Sequence, residues 1–154
     1  MTGQRCRPRW NEPWTDVPAT RRRIMSSIRG SNTKPELLVR RLLHFLGYRF
    51  RIHLRGVGGR PDIAFPKRKK AIFVHGCFWH GHERCRSGRV PKTRPDYWRD
   101  KIQSNRDRDR RHLQALMAEG WQALVIWECE LKDTDALQSK LCAFLGERRF
   151  PPNS

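Results

Sequence analysis

Apolar positions along the chain switch between the helical and the strand period, and the switches divide it into elements. Residues 1–19 show no period; Pro8, Pro13 and Pro18 stand among Arg, Trp and Asn, which predicts an irregular basic N-terminal arm. A short helix from Thr20 to Ile28 carries Arg21, Arg22 and Arg23 and ends near Gly30. The next helix is punctuated explicitly. Thr33 as N-cap and Glu36 three residues on form a capping box, and Gly47 is a terminator. Leu38, Leu42, Phe45 and Leu46 are its expected buried stripe.

Tyr48 to His53 alternates aromatic or aliphatic side chains with Arg, the period of a half-buried strand with a basic outer face. A Gly-rich connection, Arg55 to Arg60, leads through Pro61 and Asp62 into the run Ile63 to Phe65. Lys67 to Lys70 then turns the chain into Ala71 to His75, completing a hairpin. Residues 76–95 have no period and are rich in Gly, His, Cys, Arg and Pro. So long an irregular segment in a small domain needs something to hold it, and metal is the expectation. A long helix follows from Pro95 to Glu119, closed by Gly120; Trp121 to Trp127 is an apolar run suited to a central strand. Asp133 or Thr134 caps a last helix with Leu137, Leu141, Phe144 and Leu145 on one side and Gly146 after it. The expected organisation is an arm over 1–19, one α/β domain over 20–146 and a flexible tail over 147–154, with a small sheet sandwiched between helices.

Charge narrows the partner. Lys plus Arg total 33 against 15 Asp plus Glu, a formal net charge of +18. Such an excess repels itself unless a polyanion is bound, and DNA or RNA is the commonest polyanion. No stretch approaches the roughly 20 apolar residues of a membrane span, and the start lacks a signal-peptide core, so a cytoplasmic protein is expected. Five cysteines, an odd number, argue against a closed disulfide framework.

Two groups of residues carry candidate chemistry. Cys77, His82 and Cys85 lie close in sequence, and Cys129 follows the strand ending at Trp127. Four such donors fill the tetrahedral shell of a structural Zn²⁺, and thiolates beside imidazole select it over Mg²⁺. The second group is Asp62 at one strand start and Val74-His75 at the end of its neighbour. There a carboxylate and a backbone carbonyl can hold a hard cation, and an imidazole can move protons or stabilise charge. A Pro-Asp pair also reads as a turn, and Glu36 also reads as half of a capping box. One face of the long helix runs Trp98, Ile102, Asn105, Asp109, Leu113 and Leu116. A buried Asn and Asp are costly without partners, so they reach a polar cavity or the helix turns them to solvent; Asp109 is expected to orient His75. Phe78 and Trp79 are core residues or, in a pinned loop, wedges that slip between base pairs. On these features alone a zinc-stabilised DNA-binding module without catalysis remains open.

The segment Val74-His75-Gly76-Cys77-Phe78-Trp79-His80-Gly81-His82, together with Gly59-Arg60-Pro61-Asp62 and Val125-Ile126-Trp127-Glu128-Cys129, closely resembles the very short patch repair (Vsr) DNA mismatch endonucleases. The likeness runs from Thr20, through Thr33-Lys34-Pro35-Glu36, to Cys129. It implies a restriction-endonuclease-like, PD-(D/E)XK-type three-layer fold with a small mixed central sheet. It also implies an enzyme that nicks one strand 5′ to the mismatched T of a T·G pair left by deamination of 5-methylcytosine. Carried onto matching positions, Asp62 and the Val74 carbonyl would bind Mg²⁺, and Glu36, His75, His80 and Asp109 would complete the catalytic site. Cys77, His82, Cys85 and Cys129 match structural Zn²⁺ ligands, Phe78, Trp79 and Trp98 match aromatics that intercalate beside the mismatch, and Asn105 lies among the residues expected to face DNA. The implied partner is double-stranded DNA with a T·G mismatch, joined by other repair proteins, for a bacterial monomer. Val74 stands where the family commonly has Thr, and the His82 to Cys85 spacing is one residue longer than the tightest in the family.

Overall fold

The computed structural model describes residues 32–147; the arm 1–19, the helix expected over 20–28 and residues 148–154 lie outside the described residues. Helix α1 (Lys34–Phe45) begins where expected, but by different bonds. Thr33 makes no side-chain bond to the helix backbone. Instead the Glu36 carboxylate accepts from the Asn32 backbone N–H (3.0 Å) and from the Thr33 hydroxyl (3.1 Å). At the other end Gly47 takes a left-handed φ of 83°, which lets its own N–H reach His44 O and the Tyr48 N–H reach Leu43 O. That double bond pattern is the Schellman termination, and it ties Tyr48 to the helix end.

The buried stripe of α1 is not the one its apolar spacing suggests. Val39 and Leu43 are fully buried with Leu46, whereas Leu38 and Phe45 are 41% and 54% exposed. Polar residues decide the face: Glu36 and Arg40 are both buried and pair at 3.2 Å, so mutual neutralisation lets two charges go inward one turn from each other.

Strand β1 (Arg51–Ile52) pairs antiparallel with β2 (Ile63–Phe65), which pairs antiparallel with β3 (Lys70–His75), and β3 runs parallel to β4 (Gln122–Trp127). The order β1-β2-β3-β4 makes a mixed four-stranded sheet and puts β4 at an edge, not at the centre as its apolar run suggested. Its strand is apolar on both faces because both faces are covered, as parallel strands usually are. β1 is shorter than the Tyr48–His53 alternation predicts, since the helix termination holds Tyr48 and His53 leaves the extended region (φ 50°).

Period-2 alternation in β3 and β4 splits the core into two layers. Ile72 and Ile126 face α1 and the last helix, α3 (Thr134–Leu145), packing with Leu43, Leu46, Leu137, Leu141 and Leu145. Ala71 and Phe73, with Ala123 and Val125, face the long helix α2 (Pro95–Ala118) through Leu113 and Leu116. The result is helices, sheet, helix, the three-layer α/β arrangement expected. The parity that sends 71, 73, 123 and 125 toward α2 continues to His75 and Trp127, which are register partners at the strand ends. Gly59 makes the close approach that leads into Asp62: with φ 84°, a Cβ there would lie 2.3 Å from the His112 carbonyl of α2. Asp133 caps α3 as predicted, accepting from Ala136 N–H at 3.1 Å. Among the described residues no helix is long and apolar enough to cross a membrane.

Candidate active site and metal centre

Both candidate groups lie at the ends of β2, β3 and β4. Asp62 precedes β2, and its carboxylate accepts from the Val74 N–H at 2.7 Å. That bond fixes the Asp62 side chain beside the Val74 amide, one peptide before the Val74 carbonyl expected as the second hard oxygen donor for a divalent cation. Burial pushes the Asp62 carboxyl up to about 6; the Glu36 charge adds to the rise, while the Val74 amide, His80 and Arg40 oppose it. Glu36 is therefore within electrostatic reach of Asp62, with Arg40 as counter-charge. The Arg40 guanidinium also donates to Asn32 Oδ1 (2.8 Å), and its Nε is buried with no partner. Sequence reasoning missed Arg40; its place four residues after Glu36 was the available signal.

His75 closes β3 and is buried. His80 stacks on it face to face, ring centroids 4.0 Å apart and planes within 3°. Burial holds the His75 imidazole down at about 4, with His80 acting in the same direction, so His75 is uncharged at neutral pH. The expectation that Asp109 orients His75 is corrected by the geometry: the Asp109 carboxylate bonds His80 Nδ1. Burial alone would raise the Asp109 carboxyl, but the His80 bond and the surrounding positive charge hold it below its usual range. An imidazole whose Nδ1–H is held by a carboxylate keeps Nε2 free as a proton acceptor. His75, His80 and Asp109 place a donor atom each within 4.8 Å of one another. They open into a cleft of about 1050 Å³ also walled by Arg106, Arg110 and Trp127.

The four soft donors converge too. Cys77, His82, Cys85 and Cys129 place their ligand atoms within 4.8 Å of one another, and His82 Nδ1 lies 3.6 Å from Cys77 Sγ and 3.5 Å from Cys129 Sγ. A turn bonded from Cys85 N–H to His82 O (3.2 Å) absorbs the longer spacing between them. Burial pushes the Cys77 thiol up to about 12, so a thiolate there calls for a cation beside it. Three sulfurs and one imidazole fit tetrahedral Zn²⁺ with no position left for reacting water. Cys142, in α3, is outside this cluster. Trp127 joins the two groups: it stacks on His82 (4.2 Å, 7°) and meets His75 edge-on at 5.3 Å.

Phe78, Trp79 and Trp98 form one edge-to-face cluster with centroids 5.2–5.9 Å apart. Phe78 and Trp79 are partly exposed, whereas Trp98 is buried and props them. Asn105 is buried as well, and its amide donates to the Trp79 carbonyl at 2.8 Å. The polar interruption in the α2 stripe thus meets a loop backbone.

The family model for DNA mismatch endonuclease Vsr matches residues 15–86. The Type II nicking enzyme V.XorIIP of Xanthomonas oryzae pv. oryzae is 55% identical over 124 residues, 80% of this chain and 90% of that protein. V.NmeAIP of Neisseria meningitidis, also a Type II nicking enzyme, is 41% identical over 135 residues, 86% of this chain and 96% of that one. The DNA mismatch endonuclease Vsr of Escherichia coli is 40% identical over 119 residues, 77% and 76% of the two chains. The mixed sheet between helices is accordingly a restriction-endonuclease-like fold. Likeness of this extent makes the chain a member of the Vsr family of DNA mismatch endonucleases.

Proposed function

We propose that this chain is a strand-nicking endonuclease that cuts double-stranded DNA 5′ to the mismatched T of a T·G pair, initiating repair of deaminated 5-methylcytosine in the bacterial cytoplasm. The carrying observation is the placement of Asp62, Val74, His75, His80 and Asp109 at one end of β2 and β3. Asp62 and the Val74 carbonyl would hold Mg²⁺, which supplies charge to offset that building on the phosphate and on the leaving 3′ oxygen. His80, oriented by Asp109, takes the proton from the attacking water at Nε2. His75 stays neutral, packs the face of His80 and can donate a hydrogen bond to a phosphate oxygen. Glu36 sits close enough to Asp62 to tune the carboxylate environment, and Arg40 keeps the pair from carrying two uncompensated charges. Cys77, His82, Cys85 and Cys129 would hold Zn²⁺ as a fastening for the loop.

Phe78 and Trp79, propped by Trp98, are the wedge that opens the base stack, and the surrounding Arg and Lys grip phosphates without reading sequence. A related reading, nicking at a different mismatch or flank, goes with the relatives named Type II nicking enzymes, V.XorIIP and V.NmeAIP among them. The direct test is to assay a T·G duplex with Mg²⁺ against Asp62→Asn and His80→Ala. Each variant should lose at least ~100-fold in nicking while still binding duplex, as loss of a metal ligand or general base does. Undiminished cleavage by either would remove that residue from the mechanism.

A further inference from the structure

The loop between His75 and Cys85 carries the histidine, the aromatic pair and two zinc-type donors, yet it belongs to no strand or helix. Helix α2 holds it in place. Asn105 Nδ2 donates to Trp79 O at 2.8 Å, the Asp109 carboxylate bonds His80 Nδ1, and Arg106 Nη2 donates to Gly81 O at 3.1 Å and to Glu83 at 2.9 Å. Loop and helix touch directly between them, since a Cβ on Gly81 would lie 2.5 Å from Ile102 Cγ2. Three side chains within five helix positions therefore grip residues 79, 80 and 81, one each.

The first of these bonds has a specific mechanical meaning. The Trp79 carbonyl belongs to the peptide plane whose nitrogen is that of His80, and a peptide plane is rigid. Holding that oxygen restrains the plane that contains both Cα atoms, from which the Trp79 indole and the His80 imidazole leave the backbone. Asn105 lies one helical turn before Asp109, so one face of α2 sets the plane and the ring together.

We infer that Asn105 is a positioning residue that holds the peptide plane shared by Trp79 and His80, so that the wedge and the imidazole keep one register when the indole enters a distorted duplex. The inference rests on the nuclease reading above. Without Asn105 that plane is free to tilt, so indole and imidazole lose their register together, and the Trp79 carbonyl is left without its donor.

The test is Asn105→Leu, near in volume and lacking the donor, measured three ways in the full chain: single-turnover nicking at saturating enzyme, equilibrium binding to the same duplex, and ¹⁵N signals of the histidine side chains without DNA. The single-turnover rate should fall ~10- to 100-fold, the scale of a small misplacement at a reacting centre. Binding should fall less than the rate does, and the His80 signals should shift. Combined with Trp79→Ala, the loss in rate should be less than additive, because both changes act through one peptide plane. Arg106→Leu, at a more exposed position, frees the neighbouring Gly81 carbonyl and should give a smaller loss of the same kind; it carries the test if Asn105→Leu does not fold. Equal losses in binding and rate with unmoved His80 signals would overturn the inference and make Asn105 a DNA contact alone. If the wild-type chain fails to nick any mismatch, the nuclease reading falls, while the histidine signals still decide whether Asn105 sets His80.

Discussion

At the scale of single residues, the site rests on carboxylates and imidazoles whose charge states are set by burial. Asp62 is the clearest case. Its carboxyl titrates near 6 in the folded chain against 3.8 as the ordinary value, so ionising it within the fold is unfavourable. Because the folded pKa is raised, the penalty is absent below about pH 4, grows between about 4 and 6 and is complete above. Asp62→Asn, which keeps an acceptor for the Val74 N–H, should therefore stabilise the protein in Mg²⁺-free buffer at pH 7 by about 1–3 kcal/mol, following from a shift of roughly two units. The gain should shrink as pH falls from 6 to 4 in thermal melts. A variant no more stable than wild type at pH 7 would mean that Asp62 is not held against its solvation preference. Asp62, His75 and His80 could be picked out in the sequence because their spacing matches a known pattern. Which histidine meets Asp109 could not: 29 positions separate His80 from Asp109, and only the stacking of His80 over His75 puts His80 nearer to α2.

Elements were legible wherever local chemistry decided them. Gly47, Gly120, Asp133 and Gly146 mark real ends, and the α2 stripe from Trp98 to Leu116 is the buried one. The α1 stripe misleads because a buried ion pair looks polar to any count of apolar positions; Glu36 and Arg40 pull the inward face round by one residue. The edge position of β4 was equally hidden, since covered edge strands and central strands are apolar alike. The irregular stretch from residue 76 to 94 is where an outside fastening matters most. We expect purified protein to carry about one Zn²⁺ per chain, the stoichiometry of a four-donor structural site. Cys129→Ser should lower zinc content and melting temperature together, with nicking lost as a consequence. Full zinc retention in that variant, measured by metal analysis, would exclude Cys129 as a ligand.

At the scale of the whole molecule, the proposed function gives a +18 chain with an exposed aromatic pair and a cleft two separable tasks. Charge gathers DNA of any sequence, and its effect weakens with salt. Selectivity has to come from how easily the wedge enters the stack. A mismatched step opens more cheaply than a paired one, so under the proposed function the aromatic pair beside His80 would convert weak pairing into cutting position. The measurement that bears most directly on this account is nick mapping on a panel of duplexes, matched and carrying each mismatch in varied flanks, with Mg²⁺ and strand-specific labels. One nick is expected on the T strand of T·G duplexes, on the 5′ side of that T, far ahead of matched DNA. Binding without any nick, or equal nicking of matched and mismatched duplexes, would contradict it.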